Sequence, residues 1–165
     1  MFLNPQELLD KKIITYPEGF DISKFVQQNG LDVDCIKMHS LEFDSLPIVG
    51  KNISYKPEPK VENTTDLTRY GMTGWILKKG NTYTFESSFE IEIPEGMCGW
   101  VIGRSTFNRQ GILIRSSLYD SGFKGNIGGT IYCFNNIAIQ EGTRIGQIVL
   151  AKAENASLYK GQYQS

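Results

Sequence analysis

Apolar and polar residues alternate along much of the chain, which is the pattern of strands half-buried in a sheet. It is clearest in Phe89-Glu90-Ile91-Glu92-Ile93, which Pro94-Glu95-Gly96 closes with turn chemistry. Trp75-Ile76-Leu77, Gly99-Trp100-Val101-Ile102, residues 127–134 and residues 145–151 read as further strands. Lys78-Lys79-Gly80-Asn81 turns the first of these into Thr82-Tyr83-Thr84-Phe85, and Gln140-Glu141-Gly142-Thr143 is a turn before the last. One short helix is predicted over residues 5–12, with Asn4 as its cap and Pro5 in its first turn. Residues 46–66 are polar, carry Pro47, Pro57 and Pro59, and read as a long loop or edge excursion. Several short strands with regular turns predict a mainly β sandwich or barrel.

Length changes this picture little: 165 residues fit one domain spanning 1–165. The polar segment 152–165 reads either as a frayed end or as a mobile C-terminal arm that closes over a ligand. Charge narrows the partners. Seventeen basic residues against eighteen acidic give a net charge of -1, which argues against a nucleic-acid footprint. No apolar run reaches membrane-spanning length, and Met1-Phe2-Leu3-Asn4-Pro5 turns polar at once, so neither a membrane partner nor a secretory signal is expected. Cys35, Cys98 and Cys133 are scattered and odd in number, which predicts free thiols and a cytoplasmic location. His39 is the sole histidine. A multi-histidine metal centre is therefore excluded, and any catalysis falls to carboxylates and bound metal.

Four clusters carry candidate chemistry. In Gly103-Arg104-Ser105-Thr106-Phe107-Asn108-Arg109-Gln110-Gly111, two arginine forks and two hydroxyls lie between glycines and suit phosphate oxygens. Asp120-Ser121-Gly122-Phe123-Lys124-Gly125 frames an aromatic residue between glycines after an acid; taken alone it is a hairpin with Asp as turn former. Gly142-Thr143-Arg144-Ile145-Gly146-Gln147 is, by itself, a turn entering a strand. Asn29-Gly30-Leu31-Asp32-Val33-Asp34 places two acids on one strand face, and the plain reading is an acidic face toward solvent.

In this order the clusters resemble the five motifs of the deoxyuridine triphosphatase (dUTPase) and dCTP deaminase superfamily. Residues 26–33 resemble the first motif, Arg104-Ser105-Thr106 with Arg109 the second, and residues 119–125 the third. Residues 142–149 resemble the fourth, and Tyr159-Lys160-Gly161-Gln162-Tyr163-Gln164 the C-terminal one. Gly74-Trp75-Ile76-Leu77 and the Tyr83/Phe85 strand are most similar to archaeal-type dUTPases. The resemblance implies a distorted jelly-roll subunit of the β-clip kind, forming a homotrimer with active sites shared between subunits. It implies hydrolysis of dUTP to dUMP and pyrophosphate, with Mg²⁺ as cofactor. Asp120 matches the aspartate that activates water, and Phe123 matches the aromatic residue that packs on deoxyribose. Arg104, Ser105, Thr106, Arg109 and Gln147 match the substrate's phosphate contacts, and Tyr159 and Gln162 match the arm that folds over the nucleotide. Asp32 matches a carboxylate that holds magnesium through water. Backbone groups near residues 116–118 and 126–130 match those that meet the edge of the base.

Two alternatives stay open. A dCTP deaminase, mono- or bifunctional, needs a glutamate about ten residues beyond the third-motif aspartate, and residues 127–134 contain no acid. A catalytically silent nucleotide-binding protein of the same fold is the other, since fold does not fix activity. Asp120 and Arg104 are both present, which favours an enzyme.

Overall fold

The computed structural model describes residues 1–154 and 157–161. Helix α1 (Pro5–Asp10) forms where Asn4 predicts it, with the Gln6 amide donating to Asn4 Oδ1 at 2.9 Å and Leu8 turned into the core. It stops two residues short of the predicted end because Lys12 takes a left-handed conformation (φ 53°) that a helix cannot continue. Strands β1 (Ile14–Thr15), β2 (Leu31–Val33) and β3 (Lys37–Ser40) follow. The segment read as a loop instead carries four short strands, β4 (Ile48–Val49), β5 (Ser54–Tyr55), β6 (Lys60–Glu62) and β7 (Thr65–Leu67). Then come β8 (Met72–Leu77), β9 (Thr82–Glu92), β10 (Met97–Gly103), the single turn α2 (Ser105–Asn108) and β11 (Ile112–Arg115). The last three are β12 (Lys124–Cys133), β13 (Ile137–Gln140) and β14 (Gly146–Lys152). The two fragments 82–85 and 89–93 are one strand, β9, whose pattern of buried and partly exposed residues alternates through Ser87 and Ser88.

The molecule is mostly β, a distorted jelly roll of antiparallel sheets with one short N-terminal helix. The large sheet runs β2-β14-β10-β11-β12-β9-β3-β6, with β1 also on β9; β13-β8-β7 form a second sheet and β4-β5 a separate hairpin. Among the described residues no helix is long and apolar enough to cross a membrane. Inward positions of β9 and β12, including Phe85, Phe89, Ile91, Ile127 and Ile131, form the centre of the core. Phe89 also closes an aromatic cluster, with ring centroids 5.1 Å from Phe20 and 5.5 Å from Phe25. Truncating it would remove a fully buried ring and leave a cavity. Phe89→Ala is therefore expected to lower the unfolding free energy by about 3–5 kcal/mol, read from urea denaturation midpoints at unchanged slope.

Candidate functional site

Strand β10 lies between two clusters of the predicted residues. At its C-terminal end Gly103 pairs with Gly146, and along β14 Gln147 stands opposite Asp32 on β2. Gly146 allows this close approach, since a Cβ there would meet the Ile102 carbonyl oxygen at 2.9 Å and Val101 Cγ1 at 2.8 Å. Asp32 is 0% exposed, so the expected acidic solvent face does not exist. Its Oδ2 accepts from Arg144 Nη1 at 3.2 Å and from Gln27 Nε2 at 3.3 Å, and Arg104 Nε lies 3.8 Å away. The arginines are cross-tied: Arg104 Nη1 donates to the Arg144 carbonyl at 3.1 Å, and Arg144 Nη1 donates to the Lys24 carbonyl at 2.6 Å. Burying a carboxylate is costly unless cations and donors meet it, and two guanidinium groups do so here. Ser105, Thr106 and Arg109, on and just after α2, are exposed beside this cluster.

Asp34 is buried as well, at 2% exposure. Its Oδ1 accepts from Ser87 Oγ at 2.5 Å and from the Ser88 amide at 2.9 Å, and its Oδ2 accepts from Ser88 Oγ at 2.6 Å. Every one of these donors belongs to β9, so Asp34 ties the end of β2 to that strand and leaves the site to Asp32.

The second cluster lies toward the other end of β10, where Gly99 and Tyr119 exchange backbone hydrogen bonds of 3.0 and 2.7 Å. Residues 120–123 form a four-residue turn closed by the Phe123 amide donating to the Asp120 carbonyl at 3.0 Å. Its third position needs positive φ, and Gly122 supplies it at 84°. Ser121 is buried and donates to the Met97 carbonyl at 2.5 Å, which ties the turn to β10. Asp120 is exposed and borders a 360 Å³ cavity with Cys98, Leu118 and Tyr159.

A 470 Å³ cavity adjoins it, with Tyr119, Phe123 and Tyr159 as aromatic walls and Gly128 and Gly129 as a thin one. Phe123 lies 5.0 Å from the Tyr119 ring and 5.7 Å from the Tyr159 ring. The Tyr119 hydroxyl donates to the Gly128 carbonyl at 2.7 Å and accepts from the Gly128 amide at 3.0 Å. Burial pushes its pKa up, which keeps the hydroxyl a donor. Ser116, Ser117, Leu118, Gly128, Gly129 and Thr130 line this cavity, and all lie in or beside the two segments matched to the base edge.

One chain therefore does not gather the predicted residues into one site. Gly99 and Gly103 are four residues apart along β10, about 13 Å of strand. Asp120, Phe123 and Tyr159 belong to one end, and Arg104, Ser105, Thr106, Arg109, Gln147 and Asp32 to the other. Gln162 lies outside the described residues. Asp32, the carboxylate matched to magnesium, is sealed from solvent; its Oδ2 is engaged by Arg144 and Gln27, and its Oδ1 is enclosed with no hydrogen-bond partner among the described residues. Sequence reasoning gave no role to Arg144, Tyr119 or Glu86. Arg144 was legible as the one cation inside the fourth cluster; Glu86 carried no local signal.

The dCTP deaminase-like family model matches residues 6–153, and the chain belongs to that family. It is 30% identical to a probable deoxyuridine 5'-triphosphate nucleotidohydrolase of Halobacterium salinarum over 144 residues, covering 84% of this chain and 82% of the relative. It is 37% identical to a dCTP deaminase of Pyrobaculum islandicum over 157 residues, covering 87% and 88%. The crystal structure of 2'-deoxycytidine 5'-triphosphate deaminase from Agrobacterium tumefaciens superposes with a TM-score of 0.65 at 17% identity, over 90% of this chain and 47% of that one. The chain thus spans about half the length of that deaminase. A dUTPase from phage phi11 of S. aureus gives a TM-score of 0.53 at 13% identity, over 90% and 89%. At these identities the two structures establish the fold, and the relatives carry both activity names.

The cysteines offer a chemical probe of the Asp120 cavity. Burial pushes the Cys35 thiol up to about 12 and the Cys133 thiol up to about 11, so both remain protonated and unreactive at pH 8. Cys98 is half-buried on the cavity wall. Iodoacetamide at pH 8 is expected to label Cys98 first, and a bound deoxynucleoside triphosphate is expected to slow that labelling, as read by peptide mass spectrometry.

Proposed function

We propose that the protein is a dUTP diphosphatase, a single-domain hydrolase that converts dUTP and water to dUMP and pyrophosphate. The observation that carries this reading is Asp120, an exposed carboxylate on a turn next to an aromatic cavity of nucleobase size. Asp120 takes a proton from a water as that water's oxygen bonds to the α-phosphorus. The bond from the α-phosphorus to the bridging oxygen breaks, and pyrophosphate leaves with the electron pair. Phe123 packs on the sugar face, where a 2'-hydroxyl would collide. Arg104, Arg109, Ser105, Thr106 and Gln147 hold phosphate oxygens, and Asp32 aims Arg104 and Arg144 at them. Tyr159 and Gln162 belong to an arm, 152–165, that folds over the nucleotide and excludes water.

Magnesium enters with the substrate. Asp32, the carboxylate matched to the metal, is enclosed behind Arg104 and Arg144, and no cluster of three His, Cys, Asp or Glu occurs among the described residues. A Mg²⁺–triphosphate complex is held by its own phosphate oxygens and water, as suits a cation that dehydrates reluctantly.

The separation of the two clusters supports a homotrimer whose sites form between subunits, Asp120 from one chain meeting Arg104 from another. A second reading, deamination of dCTP, is favoured by one observation: an acidic residue, Glu86 of β9, is among those lining the aromatic cavity although β12 carries no acid.

The test is a product assay with dUTP, dCTP, dTTP and UTP, each with Mg²⁺ and resolved by chromatography. Only dUTP should be converted, to dUMP, and Asp120→Asn should lower kcat by about 10²–10⁴-fold. Formation of dUTP or dUMP from dCTP would replace this reading by the second. No turnover together with intact dUTP binding would make the protein a silent binder. The shared site has its own test. Asp120→Asn and Arg104→Ala should each be inactive alone, and activity should return when they are unfolded together and refolded as mixed oligomers.

A further inference from the structure

Gly128 sits where the hairpin of β11 and β12 opens. The ladder between these strands ends with Arg115 opposite Thr130. Beyond that pair the chain turns from β12 toward β10, and the Ser116 amide donates to the Val101 carbonyl at 3.1 Å. On its other side Gly128 stands opposite Glu86 of β9. The Glu86 carbonyl accepts from the Ile36 amide at 3.0 Å, so the backbone polar groups of Glu86 point toward β3 and away from β12. Gly128 therefore turns its own N–H and C=O away from β9, into the gap between the parting strands. That gap belongs to the 470 Å³ cavity, which Ser116, Ser117, Gly128 and Gly129 line.

A donor and an acceptor left open on a half-buried strand are costly. One side chain takes both. The Tyr119 hydroxyl accepts from the Gly128 amide at 3.0 Å and donates to the Gly128 carbonyl at 2.7 Å. A donor beside an acceptor is also what the pairing edge of a pyrimidine ring presents. The hydroxyl thus fills the hydrogen-bonding positions that such a ring would use, and no ring pairs with Gly128 while it stays. The Tyr119 backbone is held separately, since its amide and carbonyl both bond to Gly99, at 2.7 and 3.0 Å. Release of the hydroxyl is therefore a rotation of one side chain that leaves the neighbouring Asp120 backbone in place.

We propose that Tyr119 is an internal plug of the aromatic cavity, an autoinhibitory contact that a nucleotide displaces before its base pairs with Gly128. This rests on the reading of that cavity as the base pocket and adds a regulation to it. A nucleotide then meets only the fraction of molecules whose hydroxyl is released, and its apparent affinity falls by that fraction. The rival is a permanent brace, in which the hydroxyl keeps the open hairpin in shape and the ligand needs it there.

The experiment is calorimetric titration of the full chain with the non-hydrolysable α,β-imido analogue of dUTP, in Mg²⁺, for wild type and Tyr119→Phe. The variant keeps the ring and removes the hydroxyl. It is expected to bind the analogue about fivefold more tightly or better, because two hydrogen bonds no longer compete with the ligand. Binding that is unchanged or weaker in Tyr119→Phe overturns the proposal. A crystal structure of the wild type with the same analogue needs no variant to fold. There the Tyr119 hydroxyl is expected beyond hydrogen-bond distance of both Gly128 groups, with the base in its place. Both bonds intact beside a base seated in the cavity overturn the proposal and leave the base-pocket reading standing. A base seated elsewhere, or no binding by folded wild type, overturns that reading and this inference with it.

Discussion

A carboxylate that is fully enclosed has to be met by positive charge, and Asp32 imposes that requirement on everything around it. Arg144 answers it directly, and its guanidinium carbon lies 5.7 Å from the centroid of the Phe25 ring. Phe25 in turn packs edge-on against Phe20, at 4.9 Å, and against Phe89 in the core. Arg104 is held by the Arg144 carbonyl and by the same carboxylate. The line from hydrophobic core to exposed cationic end thus passes through one buried charge. Both arginines are thus held in place by contacts within the chain itself.

The two ends of β10 are built by different means. At the arginine end, position is set by ion pairs and by close strand approach at Gly146. At the Asp120 end it is set by hydroxyl groups. Tyr119 clamps Gly128 through both its donor and its acceptor, and Ser121 anchors the turn to Met97. Among the described residues no ion pair involves Asp120, whose carboxylate is exposed. The exposed carboxylate of Asp120 and the arginine pair around Asp32 thus stand at opposite ends of one strand.

The sequence was most readable where one face of a strand is buried. The alternation at 89–93, the helix cap at Asn4 and the turn at Gly122 follow from local chemistry and recur in the structure. Strands β4 to β7 did not announce themselves. They are two or three residues long and mostly exposed, and β6 exists because β3 offers it a partner. The acids at 32 and 34 misled for a related reason. Leu31–Val33 is buried on both faces, so alternation between apolar and acidic residues there does not mark a solvent side. Of the candidate site, the clusters of polar residues were legible one by one, and their placement at two ends of β10 was not, because register and strand length are set by pairing between distant segments. Glu86 was hidden in the same way: nothing next to it in the chain reveals that β12 will leave a glycine opposite it.

The backbone amide of Tyr159 donates to the Ser121 carbonyl at 2.7 Å, and the Tyr159 ring meets the edge of Phe123. Six residues separate this contact from the end of β14 at Lys152. One backbone hydrogen bond and one ring contact thus fasten Tyr159 to the turn that carries Asp120, and the same fastening makes a single residue a wall of both cavities, so a change at Phe123 would reshape the two together.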